Sequence, residues 1–574
     1  MKGSGQGAAA KAAPDLGPSQ YEEDAARTTL AFNPMFGLQT NDLAGAAATV
    51  MKAMVTQPTV AAKAWMGFMT SLAGIVTGNA DAKPDPRDKR FADPTWQKSK
   101  LHTGLWQTYM AWSKALNEFV STADFSAADR QRAQLVSSIL IDAMAPSNIM
   151  LANPAAVRKI ADTGGASLLD SAKNFVNDMI ENGGMPSTVD KSKFKLGENI
   201  AISPGAVVFR NEIIELIQYA PNTPEVYKRP MLMVPPQINK FYSVDLAPDK
   251  SMVAYLVRNG IQTFVVSWRN PTPAQRNWGL TDYVLALDEA VDAIRDITGS
   301  ETINLLGPCS GGITASTYAG YLAARGETKI ESLVLAVCVL DTSSAQSSQF
   351  AAMVTPETVR AAREISRVKG VLEGAELARV FAWMRPNDLI WNYWVNNYLL
   401  GNPPPAFDVL YWNADTTRLP MQLHHDYLDL IAKNPFVEAG AMTIGGEVID
   451  MKKVKLDTYV VGGTTDHITP WKACYATARL FGKRATFVLS NSGHLQSLLN
   501  PPGAPKATFV AGPANERDAE DWALKHPRTN GSWWIHWLGW VQKHSGDKAP
   551  APAALGSTRH PQLMASPGSY VLEP

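Results

Sequence analysis

The stretch "TINLLGPCSGGITASTYAGYLAARG", Thr302 to Gly326, decides the fold. Its first residues are an apolar run of strand length, "GPCSGG" is a glycine-rich turn, and the remainder suits a helix that ends on glycine. In a G-x-nucleophile-x-G turn between a buried strand and a helix, the central side chain is lifted above the sheet, and the glycines, here Gly307 and Gly311, leave room for neighbouring backbone. Cys309 holds the central position, where serine is the commoner residue. The turn predicts that the backbone N–H of Ser310 sits at a helix N-terminus, placed to stabilise an oxyanion, and that the helix dipole favours a thiolate at Cys309.

Working outward, "RPMLMVPP" (Arg229 to Pro236), "GIQTFVVSW" (Gly260 to Trp268), "SLVLAVCVLD" (Ser332 to Asp341), "KLDTYVVGG" (Lys455 to Gly463) and "RATFVLSNSGH" (Arg484 to His494) are further strand candidates. Helical patterns such as "TDYVLALDEAVDAIRDITG" separate most of them. Near-continuous apolar strands joined by helices predict a parallel sheet covered on both faces. The fold class is therefore α/β, an α/β-hydrolase fold over residues 196–574. An aromatic-rich, strand-poor insert at about 343–450 is expected to form a helical cap or lid that excludes water.

In this fold the acid follows the nucleophile and the histidine comes last, each after a later strand. "TTDHITPW" follows "TYVVGG" and supplies Asp466; "SNSGH" closes the next strand and supplies His494. Cys309, Asp466 and His494 thus match in type and order. His467, beside Asp466, is a candidate neighbour of the site or a structural residue. His424 and His425 fall in the insert and read as surface or packing residues. Cys338, inside "VLAVCVL", and Cys474, inside "WKACYATARLFG", read as buried packing.

The chain has 574 residues, 53 Lys+Arg and 53 Asp+Glu, so no net charge points to nucleic acid or to an anionic membrane. Three cysteines build no disulfide framework and none has metal-ligand spacing, which leads us to expect a reducing cytoplasm and no metal. No run reaches ~18 consecutive apolar residues, so no membrane span is expected. Residues 1–25 are Gly/Ala/Pro-rich and read as a disordered tail. Residues 26–195 carry helical periodicity without strand alternation and read as a mainly helical domain.

Together these blocks resemble the single-subunit (class I and class II) poly(3-hydroxyalkanoate) synthases. The resemblance is carried, in order, by "RPMLMVPPQINKFYSVDLAP", "FVVSWRNPTPAQRNWGLTDYV", "INLLGPCSGG", "YWNADTTRLP", "VGGTTDHITPW", "FVLSNSGHLQSLLNPP" and "GSWWIHWLGW", with "DPRDKRFADPTWQ" extending it into the N-terminal region. It implies a Cys-His-Asp triad at Cys309, His494 and Asp466. The implied substrate is an (R)-3-hydroxyacyl-coenzyme A, whose acyl group passes to Cys309 and is then taken by a 3-hydroxyl group, extending a polyester and freeing coenzyme A. Asp466 either orients His494 or helps deprotonate that hydroxyl.

Other roles follow in the same way. The second oxyanion donor is expected on the loop after the strand at Val234, at the backbone N–H of Ile238, with Gln237 or Asn239 as neighbours. Trp412 and Asp415 resemble cap residues beside the substrate. Ser310 is closer to the medium-chain style, and substrates from short to medium side chains are expected. The resemblance also implies an active homodimer, granule-coating proteins as neighbours, and a cytoplasmic enzyme that comes to lie on polyester inclusions. No separate cofactor is implied, since coenzyme A arrives on the substrate. Two rivals remain: a cysteine-nucleophile hydrolase or thioesterase of the same fold, and a non-catalytic granule or scaffold protein, against which the complete triad argues.

Overall fold

The computed structural model describes residues 40–80, 83–85, 88–343, 356–374, 387–466 and 468–574. The tail expected at 1–25, and His467, lie outside these residues.

A mixed sheet of 12 strands forms the centre. Its strands are β1 (Gly205–Arg210), β2 (Ile214–Tyr219), β3 (Glu225–Met233), β4 (Ile261–Trp268), β5 (Ile303–Pro308), β6 (Ile330–Ala336), β7 (Asp457–Gly463), β8 (Ala485–Ser490), β9 (Thr508–Pro513), β10 (Arg528–Asn530), β11 (Lys548–Pro550) and β12 (Met564–Ala565). The order is β10-β9-β8-β7-β6-β5-β3-β4-β2-β1-β12, with β11 on β3. From β8 to β4 the pairing is parallel, as the apolar runs predicted. Both flanks are antiparallel, which corrects the expectation of a parallel sheet. The β1–β2 hairpin needs only a short turn, whose Asn211 side chain accepts from the N–H groups of Ile213 and Ile214.

Every residue of β5 is buried, so that strand delivers Cys309 from the middle of the sheet. One core lies on each face. Leu305 and Leu335 pack with Tyr283, Val284 and Leu287 on one side. Leu306 and Val334 pack with Tyr459, Trp533 and Trp537 on the other. Burying side chains of this size yields about 1.5–3 kcal/mol each and makes the sheet a rigid base for the turns at its edge.

The insert between β6 and β7 is largely helical among the described residues. It contains helices Pro356–Lys369, Asp408–Ala414 and Met421–Lys433, and two loosely wound π-helical turns at Asn387–Trp391 and Val395–Leu399. It is held from one side by the N-terminal region. Asp178, buried on helix Ala166–Glu181, accepts from Tyr398 Oη at 2.7 Å and from the Ser187 N–H at 2.9 Å. Asn174 donates to the carbonyls of Asn397 and Asn402.

The N-terminal region has its own core, as its helical periodicity implied. Phe91 and Trp96, both from "DPRDKRFADPTWQ", meet edge to face at 5.1 Å and are enclosed by Trp106, Tyr109, Phe119 and Val120. One of its helices, Pro58–Val76, is long and apolar enough to cross a membrane by length and composition, although Lys63, Thr59, Thr70 and Ser71 interrupt its apolar run. Trp65, Met66 and Val76 on this helix are exposed.

Candidate active site

The site is set at the end of β5. Cys309 has φ +49° and ψ −126°, a conformation that costs a non-glycine residue about 1–3 kcal/mol and is kept only where the surroundings enforce it. They do so here. The Cys309 N–H donates to the Ala336 carbonyl at 2.9 Å, and the Gly312 N–H donates back to the Cys309 carbonyl at 3.0 Å. Helix Ser310–Arg325 starts immediately afterwards.

The glycines are required by contact. A Cβ on Gly311 would lie 1.8 Å from the Val234 carbonyl oxygen, and one on Gly307 would lie 2.5 Å from the Gly312 Cα. We expect Gly311→Ala to displace the turn after β3 or to destabilise the fold by about 4 kcal/mol or more, because two backbone segments would have to separate. Thermal melting together with a turnover assay checks this, and a variant as stable and active as the parent would contradict the close approach.

Asp466 and His494 are brought to the same edge by β7 and β8. Asp466 accepts at Oδ1 from the N–H groups of Ile468 (2.8 Å) and Thr469 (3.0 Å), and at Oδ2 from the Thr469 hydroxyl (2.7 Å) and His494 Nδ1 (2.8 Å). His494 opens a short helix after β8, and both side chains are almost wholly buried. With Nδ1 committed to the carboxylate, Nε2 is the ring atom left to face the Cys309 thiol.

The electrostatics agree. Burial pushes the Asp466 carboxyl up, but the adjacent His494 ring and the Thr469 donors outweigh it and hold the carboxyl below its usual range. Burial likewise pushes His494 down, while the Asp466 carboxylate, with a further contribution from its hydrogen-bonding partner Cys309, raises it to about 10. The imidazole is therefore a stronger base than in water. Cys309 is partly exposed, whereas Cys338 and Cys474 are fully buried and burial pushes both thiols well up. Cys338 fills the space against Gly312, and Cys474 Sγ donates to the Thr469 carbonyl at 3.5 Å.

The remaining candidates are placed as follows. Ile238 and Asn239 lie on the loop after β3, and the Ile238 carbonyl accepts from the Thr417 N–H at 2.9 Å. Asn239 Nδ2 points at the carbonyls of Trp412 (3.5 Å) and Asn413 (3.4 Å). Trp412 is buried and donates from Nε1 to the Lys240 carbonyl, and Asp415 accepts from Tyr242 Oη at 2.7 Å. The polar atoms of Trp412 and Asp415 are thus engaged in fastening the insert to residues 239–242. The Ser310 side chain is buried. His424 is buried against Ser366 Oγ, and His425 reaches the Arg363 carbonyl, which makes both packing residues.

Thr469 went unmarked in the sequence, although an aspartate followed three residues later by a threonine is the pattern of a side chain that closes its own turn. Gln237, considered only as a neighbour of Ile238, is buried and bonded at both ends of its amide. Among the described residues no group of His, Cys, Asp and Glu is arranged to hold a metal ion.

A mixed α/β sheet, a strained nucleophile turn and a buried Asp–His pair beside it define a protein of the α/β-hydrolase fold with cysteine at the nucleophile position. The family model described as "alpha/beta hydrolase fold" matches residues 231–501, and the one described as "Poly-beta-hydroxybutyrate polymerase (PhaC) N-terminus" matches residues 87–256. "Poly(3-hydroxyalkanoate) polymerase 1" of Ectopseudomonas oleovorans is 49% identical over 96% of this chain and 99% of its own length. "Poly(3-hydroxyalkanoate) polymerase 2" of the same organism is 44% identical over 94% of this chain and 96% of its own. Among solved structures, a monoglyceride lipase from Saccharomyces cerevisiae is 11% identical with a TM-score of 0.36, covering 62% of this chain and 99% of that one. The chain belongs to the poly(3-hydroxyalkanoate) polymerase family and is an acyltransferase.

Proposed function

We propose that this chain polymerises (R)-3-hydroxyacyl-coenzyme A through a thioester on Cys309. The observation that carries the reading is the Asp466–His494 pair set against a cysteine on a strained turn. His494, made strongly basic by Asp466, holds the Cys309 proton on Nε2, and the thiolate attacks the substrate carbonyl. The C–S bond to coenzyme A breaks, and the departing sulfur takes the proton back from His494. The backbone N–H groups of Ser310 and Ile238 hold the transient oxyanion. A 3-hydroxyl group, from the next monomer or the growing chain, then attacks the acyl-Cys309. Its proton goes by way of His494 to the Cys309 sulfur, and an ester is formed.

The thiol suits this sequence. Transfer from coenzyme A to cysteine exchanges one thioester for another of similar energy, whereas a serine ester would lie lower and pass its acyl group on less readily. Asp466 already accepts four hydrogen bonds, one of them from His494, which supports an orienting role for it over a role as base for the hydroxyl. The insert over the site would keep out water, the competing nucleophile. Trp412 and Asp415 would fix the position of this insert beside the substrate. An insoluble product would hold the enzyme on the surface of polyester inclusions, where a homodimer and granule-coating proteins are its expected partners.

Incubation with (R)-3-hydroxybutyryl- and (R)-3-hydroxyoctanoyl-coenzyme A, following thiol release and polymer together, tests the reading and its breadth. Polymer formed in step with released coenzyme A supports it. Free hydroxy acid without polymer would instead assign a thioesterase. No turnover of one substrate would end the case for a broad range.

A further inference from the structure

The loop that carries Ile238 has no regular secondary structure of its own, yet its polar atoms are held from two sides. Gln237 Nε2 donates to Thr314 Oγ1 on the nucleophile helix at 2.8 Å, and Gln237 Oε1 accepts from Tyr427 Oη at 2.8 Å. The Gln237 carbonyl accepts from Thr417 Oγ1 at 2.5 Å, and the Ile238 carbonyl from the Thr417 N–H at 2.9 Å. Gln237, Thr314, Thr417 and Tyr427 are all buried. Tyr427 and Thr417 both belong to the insert, so the oxyanion loop is fastened to the cap as well as to the helix behind Cys309.

The other expected donor is reached from the same place. Ser310, whose N–H opens the nucleophile helix, has a buried hydroxyl that makes no close hydrogen bond among the described residues. Tyr427 interacts with that hydroxyl and with Cys309. One tyrosine of the cap therefore stands against both ends of the expected oxyanion site. If its hydroxyl is removed, Gln237 Oε1 is left buried without its donor, and rotation of the 237–239 loop loses one of its restraints.

We propose that Tyr427 is a positioning residue that, through Gln237, makes the alignment of the Ile238 and Ser310 N–H groups depend on the seating of the cap. This rests on reading those two N–H groups as oxyanion donors to an acyl group on Cys309. Under this arrangement the thioester is polarised only when the cap is in place, so activation of the carbonyl and exclusion of water occur together. A cap displaced from the sheet would withdraw Tyr427 and Thr417 at once, leaving a nucleophile without an aligned oxyanion site.

Tyr427→Phe keeps the buried ring and deletes only the hydroxyl. The test compares coenzyme A release from (R)-3-hydroxybutyryl-coenzyme A with the rate at which iodoacetamide alkylates Cys309, a substitution at carbon that builds no oxyanion. Cys338 and Cys474 are fully buried, so alkylation reports on Cys309. We expect kcat to fall about 10- to 100-fold, with KM and the alkylation rate within about twofold of the parent. Gln237→Leu should show the same pattern, and the double variant should be no slower than the slower single one, because both act through one contact.

Unchanged turnover in Tyr427→Phe overturns the proposal. So does a parallel loss of alkylation, which would show general damage to the site, and so do losses that multiply in the double variant. Thr417→Val reads the same coupling through the Gln237 carbonyl if Tyr427→Phe does not accumulate as folded protein. Failure of the underlying reading looks different: alkylation of the parent protein at Cys309 would then leave coenzyme A release intact.

Discussion

A Cys309→Ala protein releases coenzyme A from (R)-3-hydroxyacyl-coenzyme A at least ~10⁴-fold more slowly than the parent and forms no polymer. The expectation follows from geometry. Cys309 is held at positive φ by the Ala336 carbonyl on one side and the Gly312 N–H on the other, and the glycines around it pack within contact of backbone. Alanine leaves that frame in place while removing the thiol proposed to carry the acyl group. Circular dichroism and melting should be unchanged, which separates loss of chemistry from loss of fold. Cys309→Ser is expected to fail almost as fully for a different reason. Its hydroxyl is harder to deprotonate, and any ester it forms lies below the thioester from which chain growth is proposed to proceed, so traces of stalled acyl-serine are the expected product.

Asp466→Asn has the second largest effect, ~10³- to 10⁴-fold in coenzyme A release, and it acts through His494. Without the carboxylate, burial is left as the dominant influence on the ring and pushes its basicity down. The amide can also donate to Nδ1, which would leave the proton on Nε2, the atom meant to receive one from Cys309. Stability follows with a definite sign. His494 is raised in the fold, so its share of the pair's stabilisation is complete below its ordinary value of 6.5 and is lost as pH rises toward about 10. Asp466 is lowered, so its share is complete above its ordinary value of 3.8 and is lost as pH falls through the folded value. The melting difference between parent and Asp466→Asn should therefore be greatest between those two ordinary values and shrink in alkaline solution. A difference independent of pH would mean that the pair is not ionised in the fold.

Much of the fold was legible because the central strands are mostly apolar and buried almost throughout. The runs at Ile261–Trp268, Ile303–Pro308 and Asp457–Gly463 have no exposed face to disguise them, and the order of Cys309, Asp466 and His494 follows from topology alone. The flanks were harder to see. β10, β11 and β12 are two or three residues long and carry exposed or half-buried side chains, so neither length nor periodicity marks them. The side chains that brace the site were hidden for another reason. Tyr427, Gln237 and Thr314 are 190 and 77 residues apart in successive pairs and meet only after the insert folds back over the sheet. No local spacing can announce such a contact. Ser310 could be read for its place beside the nucleophile, but the burial of its hydroxyl where the helix begins could not.

The central claim is that the growing chain is carried on Cys309. It is tested most directly by quenching the enzyme in acid shortly after mixing with (R)-3-hydroxybutyryl-coenzyme A and measuring the mass of the peptide containing Cys309. One hydroxyacyl increment on that peptide, matched by released coenzyme A and followed at later times by further increments, is the expected result. Coenzyme A released in steady turnover while that peptide stays unmodified, or acyl groups found on another residue, would contradict it.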